Sequence, residues 1–200
     1  MSRQQCPACQ RPVDYCYCHL ITPLTNLWPV HIIQDQREAS HALGTARMVA
    51  LALQACTLTV INPDEASSGR IFPDIPEQAA LIYPGQDAEP VSALQATTPR
   101  PLVFIDASWR RSRKMLFQYP ELSRLPRYAL HDEPPSRYRI RKAPSDQSLS
   151  TLEAVARTLL KLDPHGADYA NLLHVMDRVI DQQIRRMGQS VYTRNYLTKE

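Results

Sequence analysis

Glycine is the scarce residue of this chain: five in 200, about a third of the usual share, while proline, at seventeen, is well above its own. Gly44, Gly69, Gly85, Gly166 and Gly188 are too far apart to form a G-x-G-x-x-G fingerprint or a Walker A loop. The six histidines never form H-E-x-x-H, and no G-x-S-x-G elbow occurs. The common glycine-rich phosphate cradles are therefore excluded. Apolar runs fall far short of a membrane span, and the first residues lack the apolar core of a signal peptide. The expectation is one soluble, cytoplasmic domain with a small appendage and no membrane partner. A hydrophobic fraction of 44% against 22% charged residues is enough for a full-sized core.

The net charge of +3 conceals an asymmetry. Between Arg100 and Lys142 there are eleven Lys/Arg against four Asp/Glu, so this segment carries +7 and the remainder about −4. Nine of the eleven are arginine, whose guanidinium forks onto phosphate oxygens. A concentrated basic zone of this kind is the footprint of a polyanion partner, here nucleic acid. A solvated face with scattered ion pairs would have the same composition.

Four of the five cysteines fall within thirteen residues. Cys6 and Cys9 form C-x2-C, and Cys16 and Cys18 can supply two further thiolates, closing a tetrahedral structural site for zinc. Two disulfides or a redox C-x-x-C are the alternatives. Such a short segment would need a staple to hold a fold. Cys56 reads as a core thiol.

Beyond residue 26 short apolar runs alternate with helical patterns. Strands are predicted at 27–33, 57–62, 79–83, 102–106 and 128–130. Helices are predicted at 45–55, 108–119, 151–162 and 168–187. The helix at 151–162 keeps Leu152, Val155, Leu159 and Leu162 on one face, and the last helix repeats this with Leu172, Met176, Val179 and Met187. Proline-rich stretches at 63–76, 84–101 and 126–144 read as connections. Strands alternating with helices indicate an α/β fold with a mainly parallel sheet and helices on both faces. Ligands in such sheets sit beyond the carboxyl ends of the strands, which points to Pro84-Gly85 and to Asp106-Ala107-Ser108-Trp109.

Asp106 closes the clearest strand, and Ser108 is a natural N-cap for the following helix. A purely structural role for both, with Trp109 in the core, is available. That helix carries Arg110, Arg111, Arg113 and Lys114 on its first turns, where its own dipole is already positive, so an anion is expected there. Ser150 and Glu153 match a capping box, and helix N-termini also attract anions. Arg37, His41 and Arg47 surround Glu38 just after the first strand; a solvated loop explains them equally well.

Taken together, Cys6-x2-Cys9-x-Arg11-Pro12-x3-Cys16-x-Cys18, Glu38 with Thr45-Ala46-Arg47, Leu81-Ile82-Tyr83-Pro84-Gly85, Asp106-x-Ser108-Trp109 with Arg113-Lys114-Met115, and Leu149-Ser150-Thr151-x-Glu153-Ala154 resemble the DTW-domain family of tRNA-uridine aminocarboxypropyltransferases, its bacterial members in particular. Where the family has Asp, Thr and Trp, this chain has Ser108 before Trp109, which keeps the hydroxyl. The resemblance implies a SPOUT-like fold with a C-terminal knot at 26–200, behind a zinc module at 1–25. It also implies transfer of the 3-amino-3-carboxypropyl group from S-adenosylmethionine to N3 of a uridine in tRNA, releasing methylthioadenosine.

Under the resemblance, Asp106, Ser108 and Trp109 form the catalytic group, Asp106 as general base or as the group orienting the donor. Leu81, Tyr83, Pro84, Gly85, Leu149, Ser150, Thr151 and Glu153 line the donor pocket. Arg11, Arg37, Arg47, Arg110, Arg111, Arg113 and Lys114 hold tRNA. A monomer and a homodimer are both compatible with it. A methyltransferase on the same fold, and a zinc-bearing RNA-binding protein without catalysis, are the rival readings.

Overall fold

A computed structural model describes residues 4–41, 44–64, 74–140 and 148–197. Arg141 and Lys142 of the basic segment, and parts of the proline-rich connections at 63–76 and 126–144, lie outside the described residues.

Among the described residues the core is a six-stranded sheet in which every pairing is parallel. Its strands are β1 (Val30–Asp35), β2 (Cys56–Ile61), β3 (Ala80–Ile82), β4 (Glu89–Pro90), β5 (Leu102–Asp106) and β6 (Arg127–Ala129). They lie side by side in the order β2-β1-β5-β3-β6-β4. The helices are α1 (Gln36–Ala39), α2 (Ala46–Ala52), α3 (Trp109–Gln118), α4 (Pro120–Ser123), α5 (Thr151–Leu162), α6 (Ala170–Met187) and α7 (Gln189–Tyr192). The expected α/β class and its mainly parallel sheet are present. The first strand begins after Pro29, not at residue 27, because proline brings no N–H to a ladder, and it runs on to Asp35. The connection at 84–101 is more ordered than its prolines implied. It contains β4 and a 3-10 helix, Val91–Ala96, which turns Val91 and Leu94 into the core.

Period-two alternation sorts the side chains onto two faces. Val30 and Ile32 of β1, with Leu102 and Phe104 of β5, join the large cluster under α2, α5 and α6. Ile33, Leu81 and Val103 face the other way, against Met115 of α3 and Leu122 of α4. Helices thus cover both faces, as a parallel sheet with continuous apolar strands requires. Cys9 and Tyr17 of the cysteine segment belong to the large cluster. Arg11 reinforces that docking: it is only 7% exposed and reaches Gln183 of α6. Gly188, with φ +87°, ends α6 in a conformation that favours glycine.

One buried carboxylate fixes the wall above the sheet. Glu153, fully buried, closes a capping box with Ser150 at the start of α5. It also accepts from the Ser136 hydroxyl and the Arg137 N–H, both at 2.7 Å, and faces the Arg157 guanidinium at 3.5 Å. Arg157 in turn donates to the carbonyls of Pro134 and Pro135. The loop after β6 is thereby tied to α5. Removing the carboxylate leaves Arg157 buried beside unpaired donors. Glu153→Ala is therefore expected to destabilise the fold by about 3–5 kcal/mol, read as a lower urea midpoint; a midpoint equal to that of the wild type would contradict it.

Candidate active site

All six strands point one way, so their carboxyl ends share one rim, and the residues that end them face a common space. A cavity of about 470 Å³ opens there, between β3, β5, β6 and the start of α5. Ile82, Phe104, Ala129, Leu130, Leu149 and Ala154 give it apolar walls. Among the described residues its lining carries the acids Glu38, Asp106, Asp132 and Glu133 beside His131, and no lysine or arginine. Glu133 meets Lys161 at 3.0 Å and Arg157 at 3.5 Å. Low-dielectric walls focus such a field. The cavity suits an apolar body carrying positive charge and disfavours phosphate.

Asp106 is held from two sides. Gln34 is its register partner on β1 and donates through Nε2 to Oδ2 at 2.7 Å. The Thr151 hydroxyl, at the first residue of α5, donates to Oδ1. One carboxylate thus locks β5 to β1 and to α5. Asp132 differs: it is exposed, has φ +54°, and makes no hydrogen bond or ion pair among the described residues. Asp is one of the few residues that visit this conformation readily.

Trp109 lies on the cavity wall, 43% exposed, not in the core. It meets the Tyr83 ring edge-on at 5.8 Å. The Tyr83 hydroxyl is 2.8 Å from Ser112 Oγ, and the Arg127 guanidinium stands 5.7 Å from the ring centre. Ser108 occupies the N-cap of α3 without a side-chain capping bond, and it does not line the cavity. Tyr83, Pro84, Leu149, Ser150 and Thr151 line it together with Asp106 and Trp109. Leu81, Gly85 and Glu153 do not. Leu81 is buried against the α3 side, and Gly85 lies against Arg127, whose guanidinium a Cβ would meet at 2.8 Å.

The basic residues divide in the same way. Arg111 is bidentate to Asp35, a fully buried carboxylate that period two turns toward α3, and also reaches Asp64 at 3.0 Å. Lys114 and Arg37 meet the same Asp64 at 2.5 and 3.2 Å. Their hydrogen bonds, that of Lys114 first and Arg111 second, push the Asp64 carboxyl down to about 2. Arg137 and Arg139 pair with Asp177 and Asp181 of α6. Much of the basic segment is thus neutralised by acids distant in sequence. Arg110 and Arg113 are exposed and unpaired among the described residues, while Arg47 is half-buried. Arg11 is buried, with its guanidinium 5.7–5.8 Å from the rings of Tyr17 and Tyr15.

Gln34, Ser112, Asp132 and Glu133 join the site without being expected there from the sequence. The last two were within reach, because they follow the predicted strand at 128–130. Gln34 and Ser112 carry no sequence signal, since register and helix phase alone bring them to the site.

Cys6, Cys9, Cys16 and Cys18 hold all four Sγ atoms within 4.8 Å of one another. Cys6 Sγ lies 3.8 Å from Cys18 Sγ, the separation expected between sulfurs bound to one tetrahedral ion with bonds of about 2.3 Å. It is well beyond a disulfide, and all four thiols are free. N–H donors of Cys9 and Ala8 draw the Cys6 thiol down to about 6, whereas burial pushes the Cys18 thiol up to about 12. The cluster could hold a metal ion.

A family model described as the DTW domain matches residues 3–184. A Drosophila melanogaster protein named tRNA-uridine aminocarboxypropyltransferase 2 is 30% identical, over 98% of this chain and 82% of its own length. Proteins of the same name from Mus musculus and Macaca fascicularis are 28% and 24% identical, each over 98% of this chain and 69% of its own length. No solved structure matches. Among the described residues no helix is long and apolar enough to cross a membrane.

A four-thiolate site predicts that cobalt(II) titration saturates at one ion with the visible absorption of tetrahedral thiolate coordination. Cys6→Ser is expected to weaken binding and shift that spectrum. Saturation without tetrahedral bands would contradict the site.

Proposed function

Because this chain belongs to the DTW-domain family, we propose that it is a tRNA-uridine aminocarboxypropyltransferase: it moves the 3-amino-3-carboxypropyl group of S-adenosylmethionine to N3 of a uridine in tRNA and releases methylthioadenosine. The observation that carries this reading is the acidic, apolar-walled cavity at the strand ends. S-adenosylmethionine has a sulfonium and an ammonium against one carboxylate, and an uncharged nucleoside body with a flat aromatic base and no phosphate. Its charge and shape class fit such a lining, whereas a nucleotide would meet repulsion.

When bound, the donor supplies a carbon activated by sulfonium: the N3–C bond forms as the C–S pair leaves with sulfur. The protein's part is positioning, because the less hindered methyl carbon is also open to attack and the in-line bond decides which group moves. Asp106, the expected general base, has both oxygens already engaged by Gln34 and Thr151. That rigid hold suits orienting the donor's ammonium. Asp132, with its carboxylate uncommitted at the cavity lining, is our candidate to accept the N3 proton, which then passes to water. Trp109 and Tyr83 would form the aromatic wall for a uridine turned out of its stack. Ser108 supports the turn that delivers Trp109. Tyr83, Pro84, Leu149, Ser150 and Thr151 would contact the donor, while Leu81, Gly85 and Glu153 support that wall from behind.

The exposed Arg110 and Arg113 are the foremost phosphate contacts in this reading. Arg37, Arg47, Arg111 and Lys114 supply the surrounding positive field, and Arg11 acts through the cysteine segment that it anchors. The chain divides into a zinc module at 1–25 and a SPOUT-like catalytic domain at 26–200, with the knot at its C-terminal loops. Zinc would be structural, since four thiolates leave no open position.

Two variants separate the carboxylates. Asp106→Asn is expected to weaken donor binding by calorimetry at least tenfold, while Asp132→Asn lowers turnover of saturated enzyme about 10²- to 10⁴-fold with donor affinity kept. Normal donor affinity in Asp106→Asn would remove its orienting role, and normal turnover in Asp132→Asn would remove Asp132 from the chemistry.

A further inference from the structure

Helix α3 has two faces of opposite character. At 100° per residue, Ser112, Met115, Arg111 and Lys114 lie on the side that is buried or tied into the Asp35–Asp64 network. Trp109, Arg110, Arg113 and Phe117 fall together within an arc of about 100° on the other side, and all four are exposed. Phe117 is 89% exposed, the most exposed large apolar side chain described. Burial does not explain it, and it makes no ring contact among the described residues. Arg110 and Arg113 stand beside it without an ion pair among the described residues. Trp109, at one end of the stripe, lines the cavity. Phe117 lies two turns further along, about 12 Å away.

An exposed aromatic between unpaired arginines matches the chemistry of an unstacked nucleotide strand: a ring to stack on a base and guanidinium groups for the phosphates on either side. A protein partner has no use for two uncompensated arginines unless it is itself acidic. The stripe also runs directly out of the cavity. We infer that the outer face of α3 is the RNA track of the site, with Phe117 as a stacking platform for an unpaired base near the target uridine and Arg110 and Arg113 gripping the flanking phosphates. The inference rests on the tRNA reading above and adds to it a residue and a direction: the strand leaves the cavity past Trp109 and continues along α3 toward its C-terminus.

The test uses the full chain and purified tRNA. Phe117→Ala is expected to weaken tRNA binding about 5- to 100-fold, with the thermal midpoint unchanged because the side chain buries almost nothing. Phe117→Trp is expected to restore affinity and Phe117→Leu to fail, since stacking needs a ring face and apolar contact does not. Arg113→Gln is expected to reduce the slope of log affinity against log salt by about one. Unaltered tRNA affinity in Phe117→Ala, or full affinity in Phe117→Leu, overturns the inference. So does a Phe117→Ala protein that loses only self-association. Wild-type protein that binds tRNA with this pattern but transfers nothing would leave the inference standing and overturn the proposed reaction instead.

Discussion

Six parallel strands impose one constraint from which most of the molecule follows: every carboxyl end arrives at the same rim. Two of those ends are aspartates, and a carboxylate at the edge of an apolar sheet must find partners. Period two sends them to opposite faces. Asp35 turns toward α3 and takes Arg111 in a bidentate pair. Asp106 turns toward α5 and takes Gln34 and Thr151. The two helices that frame the cavity are thus clamped to the sheet by the residues that end its central strands. Glu153 completes the enclosure by tying the loop after β6 to the same end of α5.

Electrostatics then divides the surface by task. The cavity lining is acidic, whereas the exposed side of α3 beside it is basic. Under the proposed function, a cationic nucleoside donor and a polyanionic acceptor enter adjoining spaces, and the separation serves both, because one uniform field would repel one of the two. The ion pairs of Arg111, Lys114, Arg137 and Arg139 remove charge from other parts of the basic segment. What remains is narrower than the sequence count implied, and directional.

The period of each segment was readable because burial enforces it. Leu102–Asp106 and Thr151–Leu162 lie at the residues their patterns predict, a continuous apolar run and a one-faced heptad-like stripe. The Ser150–Glu153 capping box was equally legible, as it is written in four consecutive residues. The pairing of distant groups was not. That Arg111 serves Asp35, or that Gln34 faces Asp106, depends on strand order and register, which no local pattern carries. The same limit applies to Arg11, which reads as a surface cation beside the cysteines and in the fold is a buried strut against α6. Asp132 is a different case: the loop after a legible strand has the composition of a connection, and only the fold turns it to the cavity.

Under the proposed function the cavity presents the aminocarboxypropyl carbon of its donor, not the methyl carbon, to a tRNA base. Incubation of the purified protein with tRNA and S-adenosylmethionine labelled separately in the two groups, followed by mass analysis of the nucleosides, tests it directly. Label from the aminocarboxypropyl chain is expected in a modified uridine, with the methyl label retained on released methylthioadenosine. Methyl label in the RNA would contradict it.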